Sequence, residues 1–308
     1  MPIVPRRVLK LSVITPSLNQ GEFIERTIRS VLDQAYPALE YLVVDGGSTD
    51  RTLEVIERYS DRIDWWISEP DEGQTDALAK GLERASGDVI AYINSDDYYL
   101  PGAFEAALAT LESSGASWVA GAAINVDPED RPTEEMGGVW VPQPPQAVES
   151  WPAGRQWWII RNWSAPQPAC FWRRGLFERH GGFRRDMHLA FDVDFMERIA
   201  LAGELPALTD RRLAARVMHP GAKSFDTTKW DPEYRASREA LRPLLSPRER
   251  RLLPVCSLIN QVWDGKPAGP WTILRRIRHL LLKAGGDVLG LLPERIRPRV
   301  RTRDRAGS

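Results

Sequence analysis

Apolar and polar positions in the first 125 residues follow two alternating rhythms. Val8 to Thr15 is a short run of mostly apolar residues that breaks at Pro16, the pattern of a strand. Phe23, Ile24, Thr27, Ile28, Val31 and Leu32 then recur at helical spacing. The same pair of signals repeats three more times. Strands are predicted at Tyr41 to Val44, Ile63 to Ile67 and Val89 to Ile93. Helices are predicted around Leu53 to Ile56, from Gln74 to Ala85 and from Pro101 to Leu111, and a fifth strand runs from Ser117 to Ile124. Strands alternating with helices of this length predict an α/β fold, a mostly parallel central sheet flanked by helices on both faces.

Beyond this point the rhythm weakens. Six of the 12 tryptophans fall between Trp140 and Trp172, a stretch read as loops over the sheet edge. A helix resumes at about Asp192, a connector follows, and the last ninety or so residues read as helical, broken at Pro243, Pro254, Pro267 and Pro270.

Ligands in parallel sheets bind beyond the carboxyl ends of the strands. Polar clusters stand at four of these ends: Pro16 to Asn19, Asp45 to Asp50, Glu69 to Asp76 and Asn94 to Asp97. Asp96 and Asp97 follow a buried strand, where adjacent carboxylates repel and are costly to desolvate. A divalent cation or another positive partner is therefore expected beside them, with a solvated turn or helix cap as the plainer alternative. Asp45 also ends a buried strand, on a Gly46-Gly47 turn that lets backbone approach a flat ligand; it suits a base or ribose contact, or a turn cap.

Charge narrows the function. Of 308 residues, 41 are basic and 42 acidic, but from Trp271 onward nine Arg and one Lys face three acids. The main body is therefore acidic and offers no broad basic field, which argues against nucleic acid as a partner. Cys170 and Cys256 form no disulfide framework, and no stretch of about 18 apolar residues predicts a spanning helix, so a cytoplasmic protein is expected.

Four segments together resemble one family: Thr15-Pro16-Ser17-Leu18-Asn19, Asp45-Gly46-Gly47-Ser48-Thr49-Asp50, Glu69-Pro70-Asp71-Glu72-Gly73-Gln74, and Ser86 through Asp97. Their order and spacing are similar to those of family 2 glycosyltransferases of the GT-A fold, over roughly Leu11 to Phe225. The resemblance implies a catalytic domain at 1–225, with a nucleotide-binding half near 8–125 and an acceptor-binding half near 126–225, and a helical extension at 226–308. It implies an inverting, metal-dependent transfer from a nucleoside-diphosphate sugar, UDP favoured, to a saccharide or lipid-linked saccharide, and a place in cell-envelope polysaccharide biosynthesis.

Matched position by position, Pro16, Asn19 and Glu22 would shape the nucleoside pocket, and Asp45 with Gly46 would meet the base. Asp71, Gly73 and Asp76 would line the ribose and diphosphate. Asn94-Ser95-Asp96 occupies the family's Asp-x-Asp motif, with Asp96 on the Mn²⁺ or Mg²⁺ and Asn94 in place of the first acid. His219 falls where related chains place a metal or diphosphate contact. Leu78-Ala79 replaces an Arg-Asn pair common in the family, leaving Lys80, the later loop or the metal to supply the phosphate-side cation.

A sugar hydroxyl needs a carboxylate to take its proton. The family's base follows a Gly-Phe stretch; here Gly181-Gly182-Phe183 precedes Phe191-Asp192-Val193-Asp194, and Asp192 takes that position with Asp194 and Glu197 nearby. Trp157, Trp158 and Trp163 suit stacking on sugar faces, and Gln167 begins a segment laid out like the family's acceptor side. Two rivals remain at this level: a sugar-phosphate nucleotidyltransferase, which should show a glycine-rich basic loop after the first strand, and a nucleotide- or carbohydrate-binding module without turnover. The basic amphipathic tail suits peripheral contact with an anionic membrane face, each cation adding about 1 kcal/mol, or docking on the main domain or a second subunit. The sequence leaves the oligomeric state open.

Overall fold

The computed structural model describes residues 8–133, 139–140, 165–223, 230–247 and 250. Trp157, Trp158, Trp163, Cys256 and the basic tail lie outside the described residues.

The first strands form as the apolar pattern dictates. β1 (Leu11–Ser17), β2 (Leu39–Asp45), β3 (Trp65–Ser68) and β4 (Val89–Tyr92) lie parallel in the order β3-β2-β1-β4. Their residues alternate between two cores, as the two-residue period of a strand requires. Leu11, Val13, Tyr41, Val43, Val89 and Ala91 face one side, and Ile14, Leu42, Val44, Ile90 and Tyr92 face the other. Continuous apolar runs were needed because both faces are covered. Helices α1 (Ile24–Leu32), α2 (Thr52–Arg58) and α4 (Ala103–Ser114) supply Ile28, Ile56 and Phe104 to the first core. Helix α3 (Gln74–Arg84) gives Ala77 and Leu78 to the second.

The sheet then turns mixed. β6 (Trp118–Val126) does not pair with β4; β8 (Cys170–Arg173) lies between them, antiparallel to both. β9 (Ala207–Val217) pairs parallel to β6 on the far side, and the short β5 (Tyr98–Tyr99) closes that edge against β9. β7 (Val139–Trp140) pairs off the path with β6. β9 falls where a connector was expected. Its Asp210, Arg211 and Arg212 are exposed and interrupt the apolar run, while Leu213 to Ala215 are buried, so only half of the strand carries a strand signature.

Over the second face lie α5 (Arg174–His180) and α6 (Phe191–Leu201). Phe191 and Phe195, one helical turn apart, seat α6 on an aromatic cluster. Phe195 stacks on Phe177 with centroids 4.8 Å apart and meets Phe183 edge-on at 5.1 Å, while Phe191 meets Phe183 edge-on at 5.6 Å. Trp172, wholly buried, lies beneath them. Helix α7 (Trp230–Leu241) packs on α6.

Candidate active site

The parallel strands end at one sheet edge, Ser17 in register with Asp45. A cleft of about 310 Å³ opens above it, and chain segments far apart in sequence line it. Pro16 comes from β1, Asp71 and Gly73 from the turn before α3, and Asn94, Ser95 and Asp96 from the turn after β4. Gln167 and Asp192 line it as well.

The turn after β4 separates the two adjacent carboxylates that the sequence placed together. Thr27 Oγ1 lies 2.9 Å from the carbonyl of Ser95 and 2.6 Å from that of Asp97, pinning the turn. Asp97 points inward, where its Oδ1 accepts the Val217 N–H at 3.0 Å. Burial, reinforced by the charge of Asp96, pushes its carboxyl up to about 8. Asp96 points to the cleft, with its Oδ2 3.2 Å from His219 Nε2. The imidazole of His219 stacks on Phe23 at 4.5 Å, which fixes its plane.

Asp192 stands in the first turn of α6, its Oδ1 accepting the Val193 N–H at 2.8 Å. Part of the carboxylate faces the cleft, but the dense protein around it raises its pKa from 3.8 to about 6, more than Arg216 and the backbone N–H bonds lower it. Asp194 is turned away. It bonds Arg198 at 3.0 Å and Ser237 Oγ at 2.8 Å and is 1 % exposed, so it belongs to the packing between α6 and α7. Glu197 is likewise buried there, beside Arg238. Two residues on a helix differ by about 200°, so one of Asp192 and Asp194 must leave the cleft.

The other expected residues stand around the cleft rather than on its wall. Asp45 is fully buried, and its carboxylate accepts from Gly47 N, Ser48 N, Ser48 Oγ and Ser68 Oγ. It holds the Gly46-Gly47 turn in shape, and Gly46 allows the carboxylate of Asp71 to sit against the backbone. Asn19, with φ 53°, accepts the Thr49 N–H at 2.9 Å and ties the first turn to the second. Glu22 is exposed. Asp76 and Lys80 pair with each other at 3.5 Å, and Lys80 reaches Glu69 at 2.8 Å.

A family model described as glycosyl transferase family 2 matches residues 12–181. The chain belongs to glycosyl transferase family 2. An uncharacterised glycosyltransferase of Mycobacterium tuberculosis is 30 % identical over 206 residues, covering 63 % of this chain and 70 % of that one. Among solved structures, S. aureus TarS 1–349 in complex with UDP-GlcNAc superposes with a TM-score of 0.56 at 17 % identity, covering 94 % of this chain and 86 % of that one. The mannosyltransferase PcManGT of Pyrobaculum calidifontis, in complex with GDP-Man and Mn²⁺, gives 0.52 at 20 % identity, over 90 % and 71 % of the two chains. The fold is that of the GT-A type, and the activity is glycosyl transfer from a nucleotide sugar to an acceptor.

The site offers a cation two adjacent points, one carboxylate oxygen and one imidazole nitrogen, at Asp96 and His219. Among the described residues no cluster of three or more His, Cys, Asp or Glu forms a closed cage. The pair fits an open site completed by diphosphate oxygens and water, the usual mode for Mg²⁺ and Mn²⁺.

The cleft also contains residues that the motif matching passed over. Ser17 is 6 % exposed, lines the cleft, and its hydroxyl has no hydrogen-bond partner among the described residues. His188 lies against Gly73, whose φ of 121° and missing side chain let the ring approach. Ser17 belongs to the Thr15-Pro16-Ser17-Leu18-Asn19 segment, whereas nothing in the local pattern around His188 marks it.

Proposed function

We propose that this chain is an inverting glycosyltransferase in which Asp192 is the general base. The observation that carries the reading is the single cleft lined by Asp96 and Asp192, which stand nearly a hundred residues apart in sequence, with the ends of β1 and β4 as its donor wall. The base must be unprotonated near neutral pH yet basic enough to accept a proton, and a pKa near 6 meets both needs.

In this reading the nucleoside lies along Pro16 to Leu18 and Asp71, with the Ser17 hydroxyl as a ready partner. The diphosphate lies toward Gly73 and Asp96. Asp96 and His219 would hold the divalent cation, which when bound supplies positive charge to the leaving diphosphate. Gln167, fixed by its bond from Nε2 to the Tyr92 carbonyl at 2.7 Å, and His188 border the acceptor. Asp192 removes the acceptor hydroxyl proton while the oxygen attacks the anomeric carbon from the face opposite the leaving group. Direct attack by the acceptor oxygen inverts the anomeric centre, which is the outcome the family resemblance implies.

UDP-GlcNAc and GDP-Man bound to proteins of the same fold supply the probes. With Mn²⁺ and a sugar acceptor, the wild type is expected to turn over one of these donor classes. Asp192→Asn should keep nucleotide binding and lose turnover by roughly 10²–10⁴-fold. An Asp192→Asn variant with unimpaired turnover would sink the assignment. The other expectations, a saccharide or lipid-linked acceptor and a cytoplasmic, membrane-peripheral location, rest on the family resemblance and the tail. Among the described residues no helix is long and apolar enough to cross a membrane.

A further inference from the structure

A diphosphate would enter a cleft whose donor wall already carries Asp71 and Asp96, so a side-chain cation beside it would add to the charge of the metal held at Asp96. Lys80 is committed elsewhere, bridging Glu69 and Asp76 outside the lining. Arg216 reaches the cleft, but its charge acts on Asp97 and Asp192. Lys223 is placed differently. It lines the cleft, its side chain lies within electrostatic reach of Asp96 and Asp71, and none of the ion pairs among the described residues involves it.

Its ammonium is held by neutral groups instead. Lys223 Nζ donates to Gln74 Oε1 at 3.0 Å, and Gln74 Nε2 donates to Asn94 Oδ1 at 2.6 Å. Gln74 is the first residue of α3, so the amide that holds the ammonium belongs to a helix N-terminus, which itself favours anions. The main chain of Lys223 is anchored too. Its carbonyl accepts Trp230 Nε1–H at 3.2 Å, and the turn behind it closes through Ala222 N–H to the His219 carbonyl at 2.9 Å. A lysine parked on an amide gives up one ion–dipole hydrogen bond when it moves to a phosphate, less than an ion pair would cost to break.

We infer that Lys223 is the cation that grips the donor's diphosphate, held ready beside it by the Gln74–Asn94 amide pair. This rests on the nucleotide-sugar reading of the cleft. It also gives Asn94 a purpose: an acid there would put a fixed negative charge at the end of the chain that leads to the ammonium and would compete with phosphate for it.

Calorimetric titration of the full chain with UDP, GDP, uridine and guanosine tests the assignment. Wild type is expected to bind one diphosphate. Lys223→Gln should weaken that diphosphate about tenfold or more and leave the matching nucleoside within twofold, because a charge-assisted bond is lost while the nucleoside pocket is untouched. Lys223→Arg should stay within about threefold of wild type. A Lys223→Gln variant that binds the diphosphate within twofold of wild type, or loses nucleoside and diphosphate equally, overturns the role of Lys223 alone. A wild type that binds neither diphosphate overturns the reading of the cleft itself.

Discussion

Asp192 and Glu197 lie five residues apart on α6, and burial raises both carboxyls, to about 6 and about 7. Their consequences differ because only Asp192 opens on the cleft. Activity should rise with pH through about 6 as Asp192 loses its proton, which a pH profile of kcat/KM would register. Stability runs the other way. A carboxyl that binds its proton more tightly when folded stabilises the protein at low pH, and that contribution is lost as pH rises from about 4 through 6. Asp192→Asn should therefore raise the neutral-pH unfolding free energy by on the order of 1 kcal/mol while turnover falls. Urea denaturation at pH 7 measures the first effect, and a fall in stability would contradict it. At the start of the Asp-x-Asp motif, Asn94→Asp should tighten Mn²⁺ binding severalfold in the presence of nucleotide, because it adds a hard anionic oxygen near Asp96. A metal titration that shows no gain would leave Asn94 without influence on the cation.

At the scale of elements, the joint between α6 and α7 adds a set of polar bonds to the apolar contact of Leu201 with Leu241. Tyr234, Ser237 and Arg238 meet Glu197 and Asp194, and Glu233 accepts the backbone N–H groups of His188, Leu189 and Ala190, just ahead of α6. Those positions recur at helical spacing, so one face of α7 grips the helix that carries Asp192. Arg238→Ala should destabilise the protein by about 2 kcal/mol near pH 8, where Glu197 would be left as a buried unpaired charge. The loss should shrink at pH 5, where Glu197 is protonated in the fold. Equal losses at both pH values would show that the Arg238 charge is not what matters. Gly73→Ala meets two obstacles, a φ of 121° and the His188 ring 3.3 Å from the new carbon, and should cost about 1–3 kcal/mol in urea unfolding. Local pattern made α6 and the first four strands readable, since each is a complete apolar run or stripe. It did not reveal β9, whose exposed charged stretch hides a strand that pairs along β6.

For the whole molecule, ligand binding and folding are linked. A nucleoside diphosphate at a hundred times its dissociation constant should add about 2.7 kcal/mol of apparent stability, visible as a rise in Tm. The family match ends at residue 181, yet Asp192, His219 and Lys223 all lie beyond it. A chain ended at residue 181 should therefore neither bind donor tightly nor turn over. Ending it after residue 229, which removes the α7 grip on α6, should cost more kcat than nucleotide affinity. The cleft residues at the strand ends within the first hundred positions were visible in the motifs. Of the later lining residues only Asp192 and Gln167 were named as site residues, both through the family resemblance, because the others carry no local mark.

Sequence alone determined the alternation of strand and helix and the polar edge at which the strands end. It also singled out Asp96, because burial periods and charged strand ends are local properties, whereas Asp192 came from the resemblance to the family. Tertiary structure decided which neighbours share a fate. It sent Asp97 inward and Asp96 outward, closed Asp45 into its own turn, and brought Lys223 to Gln74 across 149 positions of chain. Such choices depend on which distant donor or acceptor lies within reach of each polar atom, and a buried polar atom must find one.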